Sequence, residues 1–279
     1  MSSSTHERQP CDLRLFRFVD CHGEPAPFEI DLDVLDTVKG GSSDRRRVLR
    51  VTDGRREMAM KITSLPRIGG KVATMLGRGR LRHEISMARL ATETGLRALR
   101  PVAYGVVRRL GVPIAEAMLS EWIPNGVLLR QVVRQAVAAG DDGAVARAAG
   151  CYVDMIGRIR EAGLADADCG TGQLLVNADS GAALDPIWID LEASFPADPH
   201  DADATGRTLA AALVSWWVAT GGDQSRYEQT ARLISGRLPE PTGGWRRVEE
   251  VVDQSVRRRM AKQIRKRRID DYPESVRFS

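Results

Sequence analysis

No window of this 279-residue chain approaches the roughly 18 consecutive apolar residues that a membrane-spanning helix requires. The first ten residues, Met1 to Pro10, are polar and have no apolar stretch behind them, which argues against a cleaved secretory leader. A cytoplasmic location is therefore expected. Metal-binding side chains are sparse. The four cysteines, Cys11, Cys21, Cys151 and Cys169, include no C-x-x-C pair, and the four histidines are scattered, which argues against a zinc site. Reduced thiols are expected in such a compartment, a Cys11–Cys21 disulfide being the alternative. No internal repeat or low-complexity segment stands out. What remains is ordinary for a globular protein: 43% hydrophobic and 28% charged residues, enough chain for one large domain or two lobes. The net charge of +4 is modest, but the positive excess collects between Arg246 and Arg268.

Residues 1–30 read as an N-terminal extension, with strand-like stretches around Leu13–Val19 and a turn at Pro25 and Pro27. From there to residue 123 short apolar runs alternate with Gly, Ser and Asp-Gly: Leu35-Asp-Thr-Val38, Val48-Leu-Arg-Val51 and Met58-Ala-Met-Lys-Ile62. That is the pattern of an antiparallel meander, with Asp53-Gly54 as a hairpin turn. A basic connector carrying Gly69, Gly70, Gly77 and Gly79 leads into a helix over Leu81–Thr92. Two more strands follow, Leu99–Arg109 and Ile114–Ile123. After Pro124-Asn-Gly126 the period changes. Val145, Ala149, Tyr152, Ile156 and Ile159 mark a helix over Gly143–Ala162, with Gly163 placed to stop it. A loop, a strand at Leu174–Val176, a turn at Asp179–Gly181 and a strand at Ile187–Ile189 precede a helical remainder. The expected fold class is α+β: a β-rich lobe over 31–123 and an α-helical lobe over 124–244, with a ligand cleft between them and a basic segment over 245–279.

Phosphoryl transfer needs few groups: a cation for the phosphates, a carboxylate to brace it, a carboxylate facing the acceptor hydroxyl, and oxygen ligands for Mg²⁺. The chain offers these in order. Lys61, between Met60 and Ile62 on a half-buried strand, needs a partner or an anionic ligand, and Glu84 opens the next helix. Taken singly, Lys61 is an edge-strand lysine and Glu84 a helix partner of Arg80 or Arg82. The stretch Gly163-Leu-Ala-Asp-Ala-Asp168-Cys-Gly-Thr-Gly-Gln173-Leu-Leu-Val-Asn177 is more specific, because it follows a long amphipathic helix and runs directly into a strand. The next strand exits at Ile187-Trp-Ile-Asp190-Leu-Glu192, so Asp168 and Asp190 flank a hairpin within reach of one metal ion. Cys169 has no nearby histidine to activate it and reads as a passive loop residue.

With these residues in place, the chain resembles the lipopolysaccharide kinase family, which phosphorylates Kdo or heptose sugars on a protein-kinase-like fold. The resemblance spans about Val48 to Phe195 and includes Arg82-His-Glu84-Ile-Ser-Met-Ala-Arg-Leu90 and Ser120-Glu-Trp-Ile-Pro124. It implies that Lys61 holds the nucleotide phosphates, that Glu84 braces Lys61, and that the Glu121–Ile123 segment is the hinge against adenine. It implies Asp168 as the catalytic aspartate and Asp190 as the main metal ligand, and so ATP, Mg²⁺ and a sugar or glycolipid hydroxyl as acceptor. Three positions depart from the family. Asp166 stands where histidine is usual, and Gln173, still an oxygen ligand for Mg²⁺, replaces Asn or His. Lys39-Gly40-Gly41-Ser-Ser43 lacks a G-x-G-x-x-G loop, although the amides of Gly40 and Gly41 can cradle phosphate. A catalytically impaired pseudokinase, acting as a nucleotide-binding or membrane-associated scaffold, is the rival reading.

In the basic C-terminal segment Val248, Val252, Val256, Met260 and Ile264 recur every fourth residue among arginines and lysines. One amphipathic helix fits, lying either on an anionic membrane surface or against the helical lobe. Nucleic acid is disfavoured, since no aromatic side chains interleave the charges to stack on bases.

Overall fold

The computed structural model describes residues 13, 16–21, 27–28, 31–39, 45–177, 184–265, 273, 275 and 277–278. Two compact units emerge, one from the residues up to Arg89 with Leu99–Ile123, the other from Leu90–Ala98 with Pro124 onward. Gly40 and Gly41, and the turn expected at Asp179–Gly181, lie outside the described residues.

The first unit holds β1 (Arg17–Asp20), β2 (Pro27–Phe28), β3 (Asp33–Lys39), β4 (Arg46–Thr52), β5 (Glu57–Ser64), α1 (Ile68–Met75), most of α2 (Arg80–Glu93), β6 (Pro101–Arg109) and β7 (Val112–Glu121). Its strands form one antiparallel sheet in the order β2-β1-β6-β7-β5-β4-β3. Strand periodicity sorts its faces. Met58, Met60 and Ile62 of β5 point to one side and join Phe18, Val51, Ala103 and Leu119 in the main core. Lys61 points to the other side, in register with Met118, which packs with Leu81 and Ile85 of α2. The expected Asp53-Gly54 turn joins β4 to β5. Gly54 is left-handed at φ 79°, and Asp53 Oδ1 accepts the amides of Arg55 and Arg56.

Two sequence expectations meet a different structure here. Arg17–Asp20, assigned to an N-terminal extension, hydrogen-bonds along β6, with Phe16 and Phe18 buried in the core. The Gly-rich connector contains a helix, α1. Gly69 and Gly70 weaken its first turn, but its end is well fixed: Gly77 at φ 71° lets Arg78 N–H reach Ala73 O and Gly77 N–H reach Thr74 O.

The second unit comprises β8 (Gly126–Leu128), α3 (Leu129–Ala139), α4 (Asp142–Glu161), β9 (Leu164–Asp166), β10 (Leu174–Asn177), β11 (Ile187–Trp188), β12 (Ser194–Pro196), α5 (Ala202–Ala219), α6 (Gln224–Arg237) and α7 (Gly244–Arg265). Asp141 caps α4 by accepting the Ala144 amide, and Gly163 ends it at φ 69°. The α5 helix is buried along most of its length, and Trp216 stacks on Tyr152 of α4. The α7 helix packs on α5, which settles one alternative left by the sequence. Val248, Val252, Val256 and Met260 are all buried, so this apolar stripe is not offered to a membrane. The Ile264 side chain lies outside the described residues. No described helix is long and apolar enough to cross a bilayer.

Candidate active site

In the first unit the expected cation and carboxylate meet. Lys61 Nζ lies 2.7 Å from Glu84 Oε2, with the two side chains 14% and 2% exposed. A lysine on the helix-facing side of β5 cannot reach bulk water easily, and the buried carboxylate compensates its charge. Glu84 is held by the seating of α2. The buried Glu116 of β7 accepts the Leu81 amide at the start of that helix and the Tyr104 hydroxyl. Beside Glu116 the Tyr104 phenol is raised well above its ordinary value, first by burial and then by that carboxylate. The Glu121–Ile123 segment, expected as a hinge, begins where β7 ends. The Glu121 amide donates to Arg100 O and the Trp122 amide to Glu57 O, so both are already engaged within the sheet.

In the second unit β9 delivers the chain into the Asp166–Gln173 loop. Asp168 is presented to solvent, its side chain 72% exposed, whereas Asp166 is fully buried beneath it. Asp166 Oδ1 accepts the Asp168 amide at 2.7 Å, so the carboxylate in the place of the usual histidine pins the loop from below. Its own amide is bonded to Thr208 Oγ1 of α5. The Asp166 pKa is pushed up to about 7, first by burial, then by the nearby Asp168 and Asp190 charges, against the lowering effect of the Asp168 amide and the Trp188 indole. Further down the loop Thr171 is fixed by Ser215, whose Oγ lies 2.9 Å from both its amide and its hydroxyl. The Tyr152 hydroxyl donates to Cys169 O. The Cys169 thiol is fully enclosed and pushed far up by burial, so it is no nucleophile. Cys21 and Cys151 are likewise free thiols, raised to about 11 by burial.

Asp190 follows β11 in a left-handed conformation, φ 61° and ψ 58°. A non-glycine residue held there carries strain that the surrounding structure must offset, and such strain gathers at functional positions. The Ile189 amide, bonded to Gln173 O, fixes this exit to the Asp166–Gln173 loop. Gln173, expected as a metal ligand, is hydrogen-bonded through both atoms of its side-chain amide. Its Oε1 accepts the Gly170 amide, and its Nε2 donates to Asp190 O. The Gln173 amide thereby links the Gly170 amide to the Asp190 carbonyl.

One contributor was missed in the sequence. Between Gly163 and Glu192 there is no Lys, Arg or His. One cation beside this acidic loop comes from α7: Arg259 donates through Nη2 to Ala167 O, and its Nη1 lies 4.0 Å from Asp168 Oδ1. The absence of any basic residue in the loop was the available signal that a distant one had to approach.

The fold finds counterparts among solved structures. One, described as WaaP in complex with acyl carrier protein, superposes with a TM-score of 0.53 at 19% identity, over 83% of this chain and 88% of that one. Another, the ROP18 kinase domain in complex with AMP-PNP and sucrose, gives 0.51 at 12% identity, over 88% and 86%. The fold is protein-kinase-like. At these identities the likeness bears on the fold alone. No family model and no curated protein matches the sequence.

Proposed function

We propose that this chain is a phosphotransferase that moves the γ-phosphoryl group of ATP onto a hydroxyl of a sugar or glycolipid. The observation that carries the reading is the Asp166–Gln173 loop. It presents Asp168 to solvent on a backbone pinned from beneath and keeps Asp190 in a strained, braced conformation. In this reading Lys61, held by Glu84, neutralises nucleotide phosphate charge, and the Ile123 amide reads the adenine edge. Asp168 orients the acceptor hydroxyl. As that oxygen bonds to the γ-phosphorus, the bond to the β–γ bridging oxygen breaks, ADP leaves, and the hydroxyl proton passes to Asp168. The donor set suits a hard cation: Asp190 would hold Mg²⁺, which would offset charge on the transferring group. A protein of similar fold holds AMP-PNP, an ATP analogue, which supports the nucleotide assignment. The sugar acceptor rests on the family resemblance of Arg82–Leu90 and Gly163–Glu192.

Calorimetry of ATP with and without Mg²⁺ tests the site. Mg²⁺-dependent binding that disappears in Asp190→Ala is the expected result, to be followed by a screen of sugars as acceptors. Absence of binding in both proteins would end the phosphotransfer reading. The engaged Gln173 amide favours one rival, a nucleotide-binding scaffold without turnover. ATP binding with no transfer to any acceptor, insensitive to Asp168→Asn, is its signature.

A further inference from the structure

The α1 helix turns its apolar face outward. Ile68, Val72, Met75 and Leu76 are 79%, 46%, 56% and 67% exposed. At about 100° per residue these four positions fall on a single stripe. The helix is nonetheless firmly seated. Thr74 on its opposite side is buried, Leu65 just before it is buried and bonds through its amide to Ile114 O, and Gly77 closes its end. An ordered helix with a solvent-facing aliphatic stripe marks a docking surface, since contiguous exposed apolar area is costly to leave in water.

The charges around it identify the occupant. From Leu65 to His83 the chain has no Asp or Glu, whereas Arg67, Lys71, Arg78, Arg80 and Arg82 are basic. Arg67 and Arg78, at the two ends of the helix, are exposed, and Arg82 lies over the Tyr104 ring. The stripe contains no aromatic residue. Protein–protein contacts concentrate their energy in Trp, Tyr and Arg anchors that fill pockets, whereas a shallow aliphatic face with a cationic rim matches the boundary between acyl chains and anionic headgroups. We propose that α1 docks the first unit onto an anionic lipid surface, with Ile68, Val72, Met75 and Leu76 entering the acyl boundary and the flanking basic residues meeting the headgroups. The inference does not depend on phosphotransfer: a chain that never turned over ATP would still carry this face.

Vesicle flotation of the full chain tests it, using phosphatidylcholine vesicles with and without roughly 30 mol % phosphatidylglycerol. The expected result is flotation with the anionic vesicles alone, weakened at least about tenfold in Ile68→Glu/Leu76→Glu, which alters two exposed side chains and leaves the core intact. A Leu76→Trp reporter should shift its emission to the blue on the same vesicles. Flotation that survives Ile68→Glu/Leu76→Glu but is lost in Arg257→Glu/Arg258→Glu would overturn the proposal in favour of α7. No flotation with either vesicle would overturn it too, and would leave α1 as a surface for an acidic protein.

Discussion

Asp166 sets the sharpest expectation at the scale of single residues. Its carboxyl has an ordinary value of 3.8 and a folded value of about 7, so between these the folded chain binds a proton that the unfolded chain has released. Stability from this group is therefore complete below pH 3.8 and is lost as pH rises through about 7. The swing is on the order of 4 kcal/mol. Denaturant titrations of wild type and Asp166→Asn across that window should show a falling stability in the former and a flatter one in the latter; equal slopes would remove Asp166 as the titrating group. Asp168 works differently. Its side chain is 72% exposed, so Asp168→Asn should leave folding and ATP affinity intact while lowering turnover by about 100- to 10,000-fold. The place of this loop was legible in the sequence, because a long amphipathic helix precedes it and a strand pair follows it. The bonds of the Gln173 amide to Gly170 and Asp190 were not, because they depend on how the loop meets the exit of β11.

Among the elements, strands and long helices followed from their periods, and α1 did not. Gly69 and Gly70 read as a linker because propensity is local, whereas the helix is held by packing on β7 and by its closing turn. The part played by α7 was equally hidden. Its apolar stripe predicted a helix, but nothing in a regular four-residue repeat says which surface it covers. The structure seats it on α5, where a Cβ at Gly206 would come within 2.7 Å of Val251. Gly206→Ala should therefore cost about 1–3 kcal/mol in equilibrium unfolding, and a neutral outcome would mean that the helices separate easily. The same seating carries Arg259 to the loop, 92 residues away in sequence from the Ala167 carbonyl it bonds. Arg259→Ala is expected to lower turnover about tenfold with little change in the KM for ATP, since the lost hydrogen bond is worth roughly 1–2 kcal/mol. Added guanidinium should restore part of the activity. Loss without rescue, or an equal loss in Arg258→Ala, would assign the effect to general folding.

For the whole molecule, Lys61 and Glu84 lie in one unit, and Asp168 and Asp190 in the other. A ligand that binds only the folded chain raises its stability by an amount fixed by concentration and affinity, about 2.7 kcal/mol at a hundredfold excess over Kd. Thermal unfolding with ATP alone, Mg²⁺ alone and both together reads this directly. Stabilisation by the combination should exceed the sum of the separate effects, because the metal and the triphosphate are proposed to bind as one species. Lys61→Ala and Asp190→Ala should each abolish that excess, although they alter side chains in different units. If Lys61→Ala alone abolished it, the nucleotide would be held by the first unit and Asp190 would have no part in metal binding. If neither did, the ordered series of Lys61, Glu84, Asp168 and Asp190 would be a property of the fold without a bound nucleotide to explain it.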